Sequence, residues 1–229
     1  MLTDHRRTYR YALALLGSLV FVLVAVGRHP PFLAPLTTIP FVGRFDRWMY
    51  DAMDSIRVTP LTWLFRLLNV VGGGVVTIPL RALVSIYLVA RRWWRRAAAF
   101  VLTWAASELA LTFLKAWFHR GRPPAGLVQI VGYSFPSGHA TAGAATAVAL
   151  VLAFFPPGPR RRKWEWLAAG FAFVMAMSRV YLHAHWFSDV VAGVLLGSGI
   201  ALGSAALCTE IAEAFLGRRV DQPEAAGDA

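Results

Sequence analysis

Six apolar runs separated by short polar or charged connections set the pattern of the chain: Tyr11–Gly27, Leu61–Ala90, Ala97–Phe118, Ala140–Phe155, Trp164–Leu182 and Val190–Phe215. A helix needs about 20 apolar residues to cross a bilayer core, so the pattern predicts an all-α integral membrane bundle of six transmembrane helices. The second run is overlong and carries Gly72-Gly73-Gly74 and Pro79. It is expected to tilt, to kink, or to begin as an interfacial segment near Thr62–Leu68. The first run follows a basic stretch, but Ala25-Val26-Gly27-Arg28 is a poor signal-peptide cleavage site, so it reads as an uncleaved anchor. Between the first two runs, Arg28–Pro60 is rich in proline and mixed charge. Its Phe45, Trp48, Met49 and Met53 have the spacing of a short amphipathic helix on the membrane surface. Two roles are open to it, a lid over a lipid entrance or a connector packed on the bundle. No internal repeat and no soluble second domain is visible. Residues 1–217 form one transmembrane domain, and Arg218–Ala229 reads as a disordered cytoplasmic tail.

Composition sharpens this picture. The 229 residues are 57% hydrophobic and 15% charged, against about 45–50% and about 25% in soluble domains. The formal charge of +11 would in a polar chain point to nucleic acid, but its placement excludes that partner. Thirteen of the 23 Lys and Arg lie in four clusters between apolar runs, at Arg6, Arg7 and Arg10, at Arg91, Arg92, Arg95 and Arg96, at Arg160–Lys163, and at Arg218 and Arg219. Counted along alternate loops, all four fall on one side, which the positive-inside rule makes the cytoplasm. Both termini are then cytoplasmic in a multi-pass protein of the cell (inner) membrane. Arg28–Pro60, the His119–Ser137 connection and the Leu182–Asp189 turn lie outside. Cys208, the single cysteine, sits inside an apolar run, which leaves no intramolecular disulfide and no cysteine-based zinc site.

The polar chemistry converges on the outer face. The third run ends in Lys115-Ala-Trp-Phe-His-Arg-Gly-Arg122-Pro123, the fourth is preceded by Pro136-Ser137-Gly138-His139, and the last two are joined through Ser178-Arg179 and His183-Ala-His185-Trp-Phe-Ser-Asp189. Lys115, Arg122 and Arg179 bring three cations against one acid, Asp189, and arginine forks onto two phosphate oxygens. Ser137-Gly138 stands where a helix begins, so unpaired N–H groups and the positive helix end face an anion that Gly138 lets approach. The guest this describes is a phosphate. His185 and Asp189 are four apart, a spacing at which the carboxylate accepts from one imidazole nitrogen and leaves the other free to attack. His139 is available as a general acid.

Lys-x6-Arg-Pro, Pro-Ser-Gly-His and Ser-Arg-x5-His-x3-Asp, in this order, resemble the three signature motifs of the type-2 phosphatidic acid phosphatase superfamily, membrane lipid phosphate phosphatases related to the vanadium haloperoxidases. All eleven specified positions match. The resemblance covers the third to sixth runs closely and the first two only in number. It implies that His185 is the nucleophile and forms a phosphohistidine, that Asp189 orients it, and that His139 protonates the leaving group. Lys115, Arg122, Ser137, Gly138 and Arg179 are implied as the phosphate cradle, with no metal and no cofactor. The expected activity is hydrolysis of a terminal phosphate from a lipid phosphate or diphosphate, with undecaprenyl diphosphate, phosphatidylglycerophosphate and phosphatidic acid as equivalent candidates. A lipid phosphotransferase with the same site and an anionic-lipid transporter are the alternatives. Transport is the weaker, because it predicts midplane charge and repeated halves.

Several residues have plainer readings. Basic side chains at helix ends also serve as snorkelling anchors. His119 and His183 fall outside the motifs and read as interfacial hydrogen-bonding residues, although His183-x-His185 is also a spacing for metal ligation. Glu108 lies two helical turns before Lys115, where a carboxyl is costly. It is expected to serve a polar network or to stand protonated against a neighbouring helix. Gly143, Gly193, Gly197, Gly199 and Gly203 suit close helix packing.

Overall fold

A computed structural model describes residues 5–26 and 40–220 of the chain, and they hold eight helices. These are α1 (His5–Val26), α2 (Pro40–Ser55), α3 (Thr59–Val71), α4 (Gly74–Ala90), α5 (Trp94–Phe118), α6 (Gly138–Phe154), α7 (Pro159–Tyr181) and α8 (Phe187–Val220). The described part of each of the six expected runs is helical apart from single end residues and one internal break. The overlong second run is two helices meeting at 45°. The break falls at Gly72-Gly73, while Pro79 lies inside α4 without ending it. Its placement has a packing reason: a Cβ on Gly72 would stand 2.6 Å from the Met175 sulfur and 3.0 Å from the His139 ring. Backbone there runs against the two residues, so a side chain fits only if the end of Met175 shifts.

α5 and the Phe187–Phe215 stretch of α8 are long and apolar enough to cross a membrane, and the bent α3–α4 pair together makes a third such segment; Thr8–Val24 and α6 are shorter apolar helices. α8 continues to Val220, three residues into the stretch expected as a tail, and residues 221–229 lie outside the described residues. So does the 28–39 part of the connection before α2.

α6 and α8 form the centre, with α1, α5 and α7 around them. Alanine and glycine allow this. A Cβ on Gly193 would stand 2.7 Å from the Ser137 carbonyl oxygen, and one on Gly197 would overlap the Thr141 carbonyl. Gly199 similarly admits Leu16 of α1, and Gly143 admits Met175 of α7. Gly203 differs from the expectation for it, since nothing stands within 4 Å of its would-be Cβ.

α2 is a connector packed on the bundle. Its Met49, with Phe45 and Met53 beside it, packs on Ala176, Val180 and Val190 of α7 and α8. Trp48, expected on the same face, points outward instead. Glu108 belongs to a tie across three helices, and its partner escaped sequence reasoning. Arg81 of α4 donates to Glu108 Oε1 (2.8 Å), to Thr146 Oγ1 (2.8 Å) and to the Ala142 carbonyl of α6 (3.1 Å).

Candidate active site

The three motif segments meet at one end of the bundle, where α6 and α8 begin and α5 and α7 finish. Ser137 caps α6, with Oγ 3.5 Å from the Ala140 N–H, and its carbonyl accepts the first helical bond from Thr141 N at 2.9 Å. Gly138 and His139 therefore occupy the first turn, where N–H groups have no partner within the helix. Ser137 N–H donates to the Asp189 carbonyl at 3.0 Å, fastening the start of α6 to the start of α8.

His185 lies in the short connection before α8. Its Nδ1 is 2.7 Å from the Ser134 carbonyl and 3.5 Å from Asp189 Oδ2. A carbonyl only accepts, so Nδ1 carries the hydrogen and Nε2 keeps its lone pair. The expected carboxylate partner is thus the more distant of two, and Ser134 sets the tautomer. Arg122 Nη1 stands 3.2 Å from Nε2. Burial pushes the imidazole down to about 4; hydrogen bonding and charge from Asp189 oppose this shift, while Arg122 and Arg179 add to it. The ring is therefore neutral at physiological pH.

Asp189 is fully buried and well satisfied: Trp186 N donates to Oδ2 at 2.9 Å, and Arg120 Nη1 donates to Oδ1. Arg120 lies inside the first motif at an unspecified position, and its Nη2 reaches Asp46 Oδ2 of α2 at 2.6 Å.

The three expected cations differ in how they are held. Arg122 donates to the carbonyls of Gly132 (Nε, 2.9 Å), Ala184 (Nη1, 2.7 Å) and Tyr133 (Nη2, 3.1 Å). Lys115 donates to the same Tyr133 carbonyl at 2.5 Å. Both lie on the 132–133 loop, and burial lowers the Arg122 pKa from its ordinary value. Arg179 is fully buried; its Nη1 donates to Asn69 Oδ1 at 2.5 Å, while Nε and Nη2 have no partner. Two unpartnered nitrogens on a buried guanidinium, three N–H groups between them, are costly unless an acceptor arrives. His139 Nε2 contacts the Asn69 carbonyl at 2.9 Å, so Asn69 holds both the second-motif histidine and the third-motif arginine.

His183 stacks on Tyr50 with ring centroids 3.7 Å apart, and Arg57 Nη2 lies 3.1 and 3.2 Å from its ring nitrogens. A cation in that place opposes a metal ion at His183-x-His185. His119 ends α5 in left-handed backbone (φ 47°) and sets its ring edge-on to Tyr133, an aromatic contact where a hydrogen bond is expected.

Sequence reasoning missed Asn69, Asp46, Arg120 and the Ser134 carbonyl. Two had a signal. Asn69 is a lone amide in an apolar run just before the glycines, and Asp46 sits three residues before Met49 and seven before Met53, on the apolar side of α2.

Known proteins resemble this chain in sequence and in fold. Over 158 residues the chain is 30% identical to phosphatidylglycerophosphatase B of Bacillus subtilis, covering 66% of this chain and 70% of that protein. It is 43% identical over 70 residues to an undecaprenyl-diphosphatase of Sulfolobus acidocaldarius, 30% of this chain and 31% of that one. The crystal structure of a transmembrane PAP2-type phosphatidylglycerolphosphate phosphatase from Bacillus subtilis superposes with a TM-score of 0.71 at 24% identity, over 89% of this chain and 96% of that chain. With the PAP2 superfamily model matching residues 96–211, a stretch containing all three motifs and running from Arg96 in α5 to Ile211 in α8, this integral membrane chain belongs to the PAP2 superfamily.

Proposed function

We propose that the chain is a lipid phosphate phosphatase working through a phosphohistidine on His185 Nε2. The observation that carries this reading is the pairing of a neutral imidazole, its free nitrogen 3.2 Å from Arg122, with a buried Arg179 that keeps two nitrogens open. The terminal phosphate sits between Arg179, Arg122, Lys115 and the first turn of α6 at Ser137 and Gly138, where cations and a helix N-terminus meet developing charge.

Nε2 attacks phosphorus, the bond from phosphorus to the lipid oxygen breaks, and His139 protonates the departing oxygen. Its Nε2–H is held by the Asn69 carbonyl, so the proton it transfers is the one that Nδ1 takes up in the imidazolium form, and Nδ1 is then the base for the second step. Water then attacks the phosphohistidine, giving up a proton to His139, and inorganic phosphate leaves. Asp189 supports the positive charge that His185 acquires in the first step.

The chain spans the membrane six times, with both termini in the cytoplasm and the site on the extracytoplasmic side, as the cation asymmetry of its loops indicates. The cations already supply what a metal would bring, so the reaction is metal-independent. The named relatives act on phosphatidylglycerophosphate and on undecaprenyl diphosphate, and both offer the terminal phosphate that the site is built to grip, as does phosphatidic acid.

Phosphate release by the purified protein from these three lipids in detergent tests the reading. Release from at least one, abolished in His185→Gln and unaffected by chelator, is expected. A phosphorylated lipid acceptor without equivalent free phosphate would make the chain a phosphotransferase.

A further inference from the structure

We propose that Asp46, on the amphipathic helix α2, is a positioning residue for the phosphoryl transfer, acting through Arg120 and Ser188 on Asp189. The proposal rests on the phosphatase reading. Asp46 is 2% exposed although it belongs to a surface helix. Its Oδ1 accepts from Ser188 N at 2.8 Å, and its Oδ2 from Ser188 Oγ and from Arg120 Nη2, both at 2.6 Å. Arg120 Nη1 donates in turn to Ser188 Oγ at 2.8 Å and to Asp189 Oδ1. One guanidinium is thus shared by two carboxylates, one on α2 and one in the first turn of α8.

Sharing has an electrostatic consequence. Asp46, Arg120 and Asp189 together carry one net negative charge beside His185. Replacing Asp46 by a neutral residue leaves Arg120 to Asp189 alone, and that pair is neutral. The positive charge that His185 gains on attacking phosphorus then loses its support, and only the Ser188 hydroxyl still restrains Arg120 from drawing the Asp189 carboxylate off the Trp186 N–H. The other charged groups facing His185 are Arg122 from the loop after α5, Arg179 of α7 and His139 of α6, and none of them is negative. Asp46 also explains why α2 lies where it does, since apolar packing by Phe45, Met49 and Met53 alone would tolerate a slide along α7 and α8.

The test uses purified full-length protein in detergent, with a lipid phosphate and an aryl phosphate as substrates. Loss of a carboxylate that holds a reacting group's partner typically costs about 10–100-fold, so Asp46→Asn is expected to lower kcat by that factor on both substrates, with KM changed less than about threefold. Asp46→Glu recovers part of the loss. Met49→Ala removes packing on the same helix face without touching the network, and is expected to lower the melting temperature while kcat stays within about threefold. The acid limb of kcat/KM gives a readout of opposite sign for a structural role: losing a negative charge keeps the limb at or below its wild-type position, whereas loosening lets water reach His185 and raises it toward an ordinary imidazole value of about 6.5. Should Asp46→Asn fail to reach the membrane, Ser188→Ala removes the bridging hydroxyl with all charges intact, and a drop in kcat of about threefold to tenfold at constant KM is expected. Unchanged kcat in the Asp46 and Ser188 variants, equal kcat losses in Asp46→Asn and Met49→Ala, or a raised acid limb would overturn the proposal while leaving the phosphatase reading intact. A wild-type protein that releases no phosphate from either substrate overturns both.

Discussion

Arg81 and Arg179 are both buried arginines in apolar helices, and the difference between them separates a structural charge from a site. Arg81, in the body of the bundle, has each donor group occupied, by Thr146, by Glu108 and by the Ala142 carbonyl. Arg179, at the end where the motifs meet, has one nitrogen on Asn69 and two with no partner. The first closes a tie among α4, α5 and α6. The second keeps donors that the proposed phosphate would fill. Burial alone therefore does not separate the two; what sets Arg179 apart is two unpartnered nitrogens on one buried guanidinium at the end where the motifs meet.

The largest expected effects come from breaking this contrast at the histidines. His185→Ala removes the attacking atom and abolishes turnover on lipid and aryl phosphates alike. His139→Ala slows departure of the lipid alkoxide by about 10²–10⁴-fold but relatively spares an aryl phosphate, whose leaving group needs little protonation. Equal losses on the two substrates in His139→Ala, measured on protein matched for membrane content, would contradict its role as acid.

The arginines themselves come next. Arg179→Ala is expected to lower kcat/KM about 10²–10³-fold, the usual cost of a donor aimed at developing charge, and to abolish the thermal stabilisation by orthovanadate that is expected of the wild type. Arg81→Ala is expected to do the reverse. It breaks a pair whose carboxyl is half-exposed, costing about 1–3 kcal/mol in the melting profile, and it keeps both the vanadate response and most of kcat. A vanadate response lost in Arg81→Ala and kept in Arg179→Ala would reverse the assignment.

A smaller, graded effect concerns pH. In the proposed mechanism the neutral form of His185 attacks, and burial depresses its pKa to about 4. Activity is therefore present above that value and lost as pH falls through it, so the acid limb of kcat/KM lies near 4, where an unperturbed imidazole would place it near 6.5. An acid limb at 6.5 would mean that His185 is hydrated in the working enzyme. Least affected is Gly203→Ala, which meets open space and changes stability by less than about 1 kcal/mol. Gly193→Ala or Gly197→Ala, by contrast, would force α8 off α6.

The contrast between the arginines also describes what was legible in the sequence. Apolar runs announce helices because a bilayer permits little else, so the described part of each of the six expected runs is helical apart from single end residues and one internal break, and the eleven motif positions lead to one end of the bundle. Partners that meet only through the fold were not legible. Nothing in the spacing ties Arg81 to Glu108, 27 positions away, or Asp46 to Ser188, 142 positions away. The Ser134 carbonyl could not be read at all, because every residue has one. Glycine was legible in part: Gly193 and Gly197 lie at the α6–α8 contact, but the same residue type at Gly203 faces nothing. The orientation of the bundle is an expectation from loop charge. Single cysteines in the 125–129 loop should react with an impermeant thiol reagent in intact cells, and those at 160–163 should not; the opposite labelling would invert the topology.

The central claim is that His185 Nε2 bonds to phosphorus. Rapid acid-free quenching of the purified protein during turnover of a lipid substrate labelled in its terminal phosphate tests it directly. The account predicts a phosphoprotein that is acid-labile and base-stable, maps to the peptide containing His185, and is absent in His185→Gln. Label that persists in His185→Gln, or a wild-type protein that turns over while never becoming labelled, would contradict it.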